Sequence, residues 1–248
     1  MRIDRLLSLS NYGSRSQVKE LLRAGKVRVD DCIIYDPKTQ INDPKSVHVT
    51  VDGTSVHYQD YRYLCLNKPD ACLTAMDDAR LPTVAQFLTN QDIIRKVHPI
   101  GRLDYHTTGL LIFTNDGHLT HRLLSRRWKI KKTYLVQYDG LPLGREEIAL
   151  FKVGLCINDR PNERLNLAPA ELEIIDDQNC RITITEGKTH QVKRILAAVD
   201  RSVITLHRET FGGIKLHPDQ SAGILRPLES SEIKHLYTLT QLPQTSNK

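Results

Sequence analysis

The sequence predicts an α+β protein in two parts: a small N-terminal unit, then a larger domain built on a mixed sheet. Three observations point there. Apolar residues recur at helical spacing in the first turns of the chain. From residue 63 onward, several short runs alternate with period two, with a few helical stripes between them and no internal repeat. A polar stretch over 52–61 separates the two patterns. At 248 residues the chain has room for one large domain and one small one. The boundaries expected are 1–58 for the first unit, 59–62 for a linker, 63–240 for the second domain and 241–248 for a polar tail that frays.

In the first unit, Ile3, Leu6 and Leu7 give a first helix, which Asn11-Tyr12-Gly13 interrupts. Ser14-Arg15-Ser16-Gln17 has the spacing of a capping box, and Val18, Leu21 and Leu22 supply the apolar stripe of a second helix. Arg15, Lys19, Arg23 and Lys26 fall within about 80° of one another on that helical wheel. Gly25 ends the helix, Val27-Arg28-Val29 opens a strand, and Val47 to Val51 alternates as another.

In the second domain, Tyr63-Leu64-Cys65-Leu66 reads as a strand running into Asn67-Lys68-Pro69. Leu81-Pro82-Thr83-Val84 begins a helix with proline in its first turn. Leu110 to Thr114 is a strand, Asn115-Asp116-Gly117 a turn, and the next helix turns Leu119, Leu123 and Leu124 inward. Thr133 to Tyr138 and Arg181 to Thr185 are strands. After a turn at Glu186 to His190, Val192, Ile195, Leu196 and Val199 form a helical stripe, followed by a short strand at Val203 to Leu206.

The net charge is only +6, so its placement matters more than its sum. Between Met1 and Arg28 seven lysines or arginines face two acids, and Arg122 to Lys132 holds six basic residues and no acid. Either block alone is compatible with a solvated face; two of them suggest a polyanion touched in two places. The five cysteines are scattered and odd in number, with no Cys-x-x-Cys pair, which argues against a disulfide frame or a structural zinc site and fits a reducing compartment. The start of the chain lacks the pattern of a signal peptide, and no apolar run approaches membrane length, so a cytoplasmic protein is expected. No Walker loop, Gly-x-Gly-x-x-Gly or His-Glu-x-x-His is present, and no metal or cofactor is expected.

Chemistry concentrates in three stretches. Gly101-Arg102-Leu103-Asp104-Tyr105-His106-Thr107-Thr108-Gly109 carries a lone carboxylate into a buried strand. Lys68-Pro69 follows another buried strand. Lys188-Thr189-His190-Gln191-Val192-Lys193-Arg194 sits at a strand-to-helix turn, where free amides and side-chain charge add up to an anion site or, in the plainer reading, an ordinary helix cap.

Together these stretches resemble the pseudouridine synthases, in particular the branch of the small-ribosomal-subunit synthase A. The match extends to Leu66-Asn67-Lys68-Pro69, Lys132-Thr133-Tyr134-Leu135-Val136, Glu186-Gly187-Lys188, Leu206-His207-Arg208-Glu209 and Gly212-Gly213-Ile214. The first unit resembles the αL-type RNA-binding module of ribosomal proteins and RNA-modifying enzymes, through Arg2 to Leu7, Ser14-Arg15-Ser16, Leu21 to Val27 and Val29-Asp30. The resemblance implies a catalytic domain with a mixed, mainly antiparallel central sheet flanked by helices. It implies isomerisation of a uridine in 16S rRNA, the uridine 516 activity, by a monomer without cofactor, on rRNA or on a small-subunit assembly intermediate. A 23S rRNA target, or a non-catalytic assembly factor, is the alternative.

By the same resemblance, Asp104 is the essential carboxylate, acting at the ribose or the base. Tyr134 lies against the extruded base, and Lys193 is the cation that keeps the carboxylate ionised. Lys68, Arg102, Lys188, His190, Gln191 and Arg194 contact substrate or RNA, with Leu206 packed near the base. Arg15, Lys19, Arg23, Lys26 and Arg28 grip RNA backbone without reading sequence. Two positions depart from the family's pattern: Ala71 and Asp200 stand where glycine is usual.

Overall fold

The structure is a computed structural model, and it describes residues 1–10, 12–44, 46–56, 58, 61–160 and 163–243. Part of the expected linker and most of the expected tail lie outside these. The chain divides into two compact units.

The first unit holds Met1–Tyr61 together with Thr89–Lys96. Helices α1 (Ile3–Leu9) and α2 (Arg15–Arg23) bury Ile3, Leu6, Leu7, Val18 and Leu22 against Val27, Val49 and Val51. Ser14 caps α2 through its side chain, and Gln17 returns the bond to the Ser14 amide at 2.8 Å, the reciprocal box its spacing predicts. Strands β1 (Val27–Val29), β2 (Cys32–Ile33), β3 (Val49–Val51) and β4 (Thr54–Ser55) form a sheet in the order β2-β1-β3-β4. The β1–β2 turn, Asp30-Asp31, has both residues at positive φ, as a two-residue hairpin requires. Helix α3 (Asn90–Ile94) belongs here although its sequence falls within 63–240. A capping box between Thr89 and the buried Asp92 starts it, and the Arg95 guanidinium donates to the Leu9 carbonyl.

The second unit is organised by a sheet of nine strands. In chain order its strands are β5 (Tyr63–Lys68), β6 (His98–Pro99), β7 (Thr107–Thr114), β8 (Lys132–Asp139), β11 (Glu171–Ile174), β12 (Asn179–Ile184), β13 (Ser202–Phe211), β14 (Ile214–Lys215) and β15 (Leu225–Pro227). A separate hairpin, β9 (Leu155–Arg160) and β10 (Glu163–Leu167), precedes β11. The main order is β11-β12-β8-β13-β7-β5-β15, with β14 on β13 and β6 on β7. The β7–β13 pair is parallel and the other strand pairs are antiparallel, which bears out the mixed, mainly antiparallel sheet. Helices α4 (Gly117–Leu124), α5 (Arg145–Val153), α6 (Gln191–Ala197) and α7 (Ser230–Leu239) flank the sheet. Leu66, Leu111, Phe113, Val136, Tyr138, Ile182, Val192, Ile195 and Leu196 fill its core.

Several expectations need adjusting. The segment after Pro82 forms one 3-10 turn, Val84–Phe87, because Thr83 bridges to Leu73 and holds the chain extended. Leu124 is not turned inward but 46 % exposed, since α4 ends there and the chain leaves extended through Ser125. β13 runs for ten residues rather than four; its polar centre and two register shifts disguise a central strand. Gly109 shows why this junction is tight: a Cβ there would stand 2.4 Å from the Arg208 carbonyl oxygen. No described helix is long and apolar enough to cross a membrane.

Both positions that lack the usual glycine keep a glycine-like backbone. Ala71 has φ 49° and Asp200 has φ 59°, and both are exposed. The left-handed region costs an L-residue about 1–2 kcal/mol, less for aspartate. Ala71→Gly should therefore stabilise the fold by about 1 kcal/mol, after the entropy lost by glycine, and Asp200→Gly by less. Urea melts of the two variants check this; a destabilised Ala71→Gly would contradict it.

Candidate active site

The sheet topology brings the starts of β7 and β8, the end of β12 and the C-terminal half of β13 to one edge. Leu206 lies beside Thr107, Arg208 beside Tyr134, and Phe211 and Ile184 both beside Lys132. On β8 burial alternates, so Lys132 and Tyr134 share the inner face with Val136 and Tyr138. A cavity of about 130 Å³ opens here, lined by Arg102, Asp104, Thr107, Lys132, Tyr134, Lys188, His190, Gln191, Leu206 and Arg208 among others.

The Asp104 loop is held from inside the protein. Thr74 Oγ1 donates to the Leu103 carbonyl at 2.7 Å and accepts from its amide, and Leu103 is buried. The Thr107 amide closes the turn on the Asp104 carbonyl at 3.0 Å. Beneath it, the Lys68 ammonium donates to the carbonyls of Pro69, Tyr105 and Thr107 at 3.0, 3.2 and 2.9 Å. Lys68 is fully buried, and burial lowers its pKa. Its three donors are all used internally, which makes it the clamp under the loop. The Asp104 carboxylate emerges half-exposed, with His190 Nε2 at 3.6 Å.

His190 owes its position to backbone strain. It precedes α6 in a left-handed conformation, φ 53°. Gln191 is buried on the cavity wall and braces this turn: its Oε1 accepts from the Lys188 amide at 3.0 Å and its Nε2 donates to Glu186 at 2.9 Å. Glu186 also accepts from the Ala168 amide at 2.9 Å and has the Lys188 ammonium at 3.7 Å. Lys188 donates to the Asn166 carbonyl as well, so its amine is engaged on the cavity wall. Lys193 and Arg194 are half-buried on the first turn of α6, and neither lines the cavity. Among the described residues, the base within ion-pair reach of Asp104 is His190, not Lys193. Arg102 is exposed at the mouth.

Two cavity residues escaped the sequence reading as site residues. Lys132 and Arg208 are 7 % and 2 % exposed, and each lies over Phe211, at 5.4 and 5.1 Å from the ring centre. Lys132 donates to the carbonyls of Ile130 and Glu186 at 3.2 and 3.5 Å. Burial, then the neighbouring Arg208 charge, push its pKa down to about 8. Arg208 Nε donates to the Leu110 carbonyl at 2.8 Å, whereas Arg208 Nη2 and Thr107 Oγ1 are buried without a hydrogen-bond partner. The alternation along β8 places Lys132 beside Tyr134 and was the available signal.

The rest of the second basic block is partly occupied. Arg122 holds the carbonyls of Thr240 and Gln241 and stacks on Trp128 at 5.0 Å, and Lys131 pairs with Glu171 at 2.8 Å. In the N-terminal unit, Arg15, Lys19 and Arg23 are exposed on α2, and Arg15 and Lys19 line a groove with Arg2, Asp4 and Arg5. Lys26 pairs with Asp52 at 2.9 Å, and Arg28 donates to the Asp31 carbonyl at 2.8 Å.

A sheet edge that gathers a lone acid, a phenol and buried cations in one cavity suits an enzyme that handles an extruded base. Comparison with known proteins agrees: residues 62–198 match the RNA pseudouridylate synthase family and residues 1–44 match the S4 domain. The chain belongs to the RNA pseudouridylate synthases and carries an N-terminal S4 domain. It is 40% identical to an uncharacterized RNA pseudouridine synthase of Bacillus subtilis, over 94% of this chain and 97% of that one. It is 38% identical to the ribosomal small subunit pseudouridine synthase A of Escherichia coli K12, over 94% and 98%. A crystal structure of a pseudouridylate synthase superposes with a TM-score of 0.65 at 34% identity, covering 95% of this chain and 99% of that one.

The Lys68 clamp makes a distinct prediction. Lys68→Met strands three carbonyls and should cost about 2–3 kcal/mol of stability. Turnover should fall with it, while RNA affinity and its salt dependence stay unchanged. Thermal melts and filter binding measure both; weakened binding with unchanged stability would return Lys68 to the RNA interface.

Proposed function

We propose that this enzyme isomerises a uridine of 16S rRNA, uridine 516 in the family's numbering, with Asp104 as the essential carboxylate. The observation that carries the reading is that Asp104, Tyr134 and Leu206 converge on one cavity. The name of the Escherichia coli relative supports the small-subunit target. A flipped uridine enters with its base toward Tyr134 and Leu206, and its ribose beside Asp104. Extrusion costs a few kcal/mol, offset by contacts in the pocket. His190 pairs with Asp104 at the mouth, and Lys193 and Arg194 add positive charge on the same helix turn. Arg102 meets RNA backbone at the rim. The reaction moves one bond from N1 to carbon 5 without adding or removing atoms.

Deleting the gene should remove one pseudouridine from 16S rRNA, mapped on both large rRNAs. Wild-type protein should restore it, and Asp104→Asn should not, although that variant still binds RNA. A loss confined to 23S rRNA would move the target; restoration by Asp104→Asn would remove the carboxylate from its role.

The S4 unit is read as the docking surface, through Arg15, Lys19 and Arg23 on α2 with Lys26 and Arg28 beyond its end. Each phosphate neutralised on single-stranded RNA adds about 0.7 to the slope of log affinity against log salt. Lys19→Ala with Arg23→Ala should weaken binding and flatten that slope by about 1.4. An unchanged slope would place docking elsewhere.

A further inference from the structure

Lys132 and Arg208 present an imbalance that the fold itself leaves open. Two buried cations both lie over the Phe211 ring, and no acid among the described residues comes within ion-pair distance of either. Buried charges are normally paired, because desolvation penalises a lone one by several kcal/mol. Glu186, the acid whose charge acts on Lys132, is already committed to Gln191, Ala168 and Lys188. Lys132 uses two of its three donors, and Arg208 Nη2 uses neither of its own. Thr107 Oγ1, equally buried and unpartnered, lines the same cavity. These are polar groups waiting for an acceptor.

We propose that Lys132 and Arg208, with Thr107, form the receptor for the negative charge that develops on the uracil carbonyl oxygens during the reaction. The inference rests on the uridine isomerase reading of this cavity. When the C1′–N1 bond breaks, its electron pair leaves with the base and spreads over O2 and O4. The base turns, its carbon 5 forms the new bond to C1′, the carbon 5 proton departs to a base, and N1 takes up a proton, so the product is an isomer of the substrate. If Asp104 adds to the ring instead, the charge again falls on a carbonyl oxygen. Both routes need cations at the buried end of the cavity. The base, not the backbone phosphate, reaches that end, because the phosphates remain in the strand outside. Donors preorganised in a water-poor site stabilise developing charge at little reorganisation cost. Lys132 and Arg208 thereby become catalytic residues.

The test is single-turnover cleavage of the target nucleoside's C1′–N1 bond, with uridine or 5-fluorouridine at that position. Fluorine makes the base a more acidic, better leaving group. Lys132→Met should slow the uridine reaction by about 100-fold or more, yet leave the 5-fluorouridine reaction within about tenfold of wild type. RNA affinity should stay within about twofold. The wild-type rate should fall as pH rises through about 8, where Lys132 loses its proton, and this limb should be missing from Lys132→Met. Lys132 faces Arg208 from β13, Glu186 from the turn after β12 and Tyr134 on its own strand, with Asp104 and His190 across the cavity. Arg208→Lys should show the same leaving-group pattern more weakly. Equal losses on both substrates, or weakened RNA binding as the main defect, would overturn the proposal. Wild-type protein that makes no pseudouridine would sink the isomerase reading and this inference together. Wild-type turnover fully shared by Lys132→Met would sink the inference alone.

Discussion

One buried ammonium sets the geometry of the Asp104 loop. Lys68 closes the last turn of β5 onto the carbonyls that flank Asp104, and β5 is hydrogen-bonded along its whole length to β7. The loop therefore cannot drift without breaking charge-assisted bonds to a buried ammonium. Thr74 and Leu103 complete the restraint from the opposite side. A carboxylate presented this way keeps one orientation before substrate arrives, and little entropy remains to be lost on binding.

The same edge of the sheet separates charges by burial. Near the mouth, Asp104 and His190 remain partly hydrated and Arg102 is open to solvent. Tyr134, Leu206, Lys132 and Arg208 line the same cavity and are buried, with the two cations held over an aromatic ring rather than against acids. The turn at Glu186 to Gln191 isolates its own acid from this arrangement by saturating it with donors.

Much of this was legible in the sequence wherever a local rule governs. The Ser14–Gln17 box, the alternation of β8 and the stripe of α6 follow from spacing alone. The Asp104 loop and the turn at His190 were visible as motifs, and the fold joins them. The burial of Lys68 and Lys132 was not legible for a shared reason: a lysine is ordinarily a surface residue, and only the tertiary carbonyls around these two explain it. β13 was read short because His207, Arg208 and Glu209 break its apolar pattern at the point where it floors a cavity. The grouping of α3 with the N-terminal unit, where Arg95 meets the end of α1, has no sequence signature.

The parallel seam between β7 and β13 has a consequence for how variants of this enzyme would be classified. Gly109 sits where even a methyl group would collide with the main chain of Arg208. A substitution there would pry the seam apart, and with it the register that sets Thr107 across from Leu206. Such a variant would score as catalytically dead in a genetic screen, although the altered atom lies among strands and meets no nucleotide.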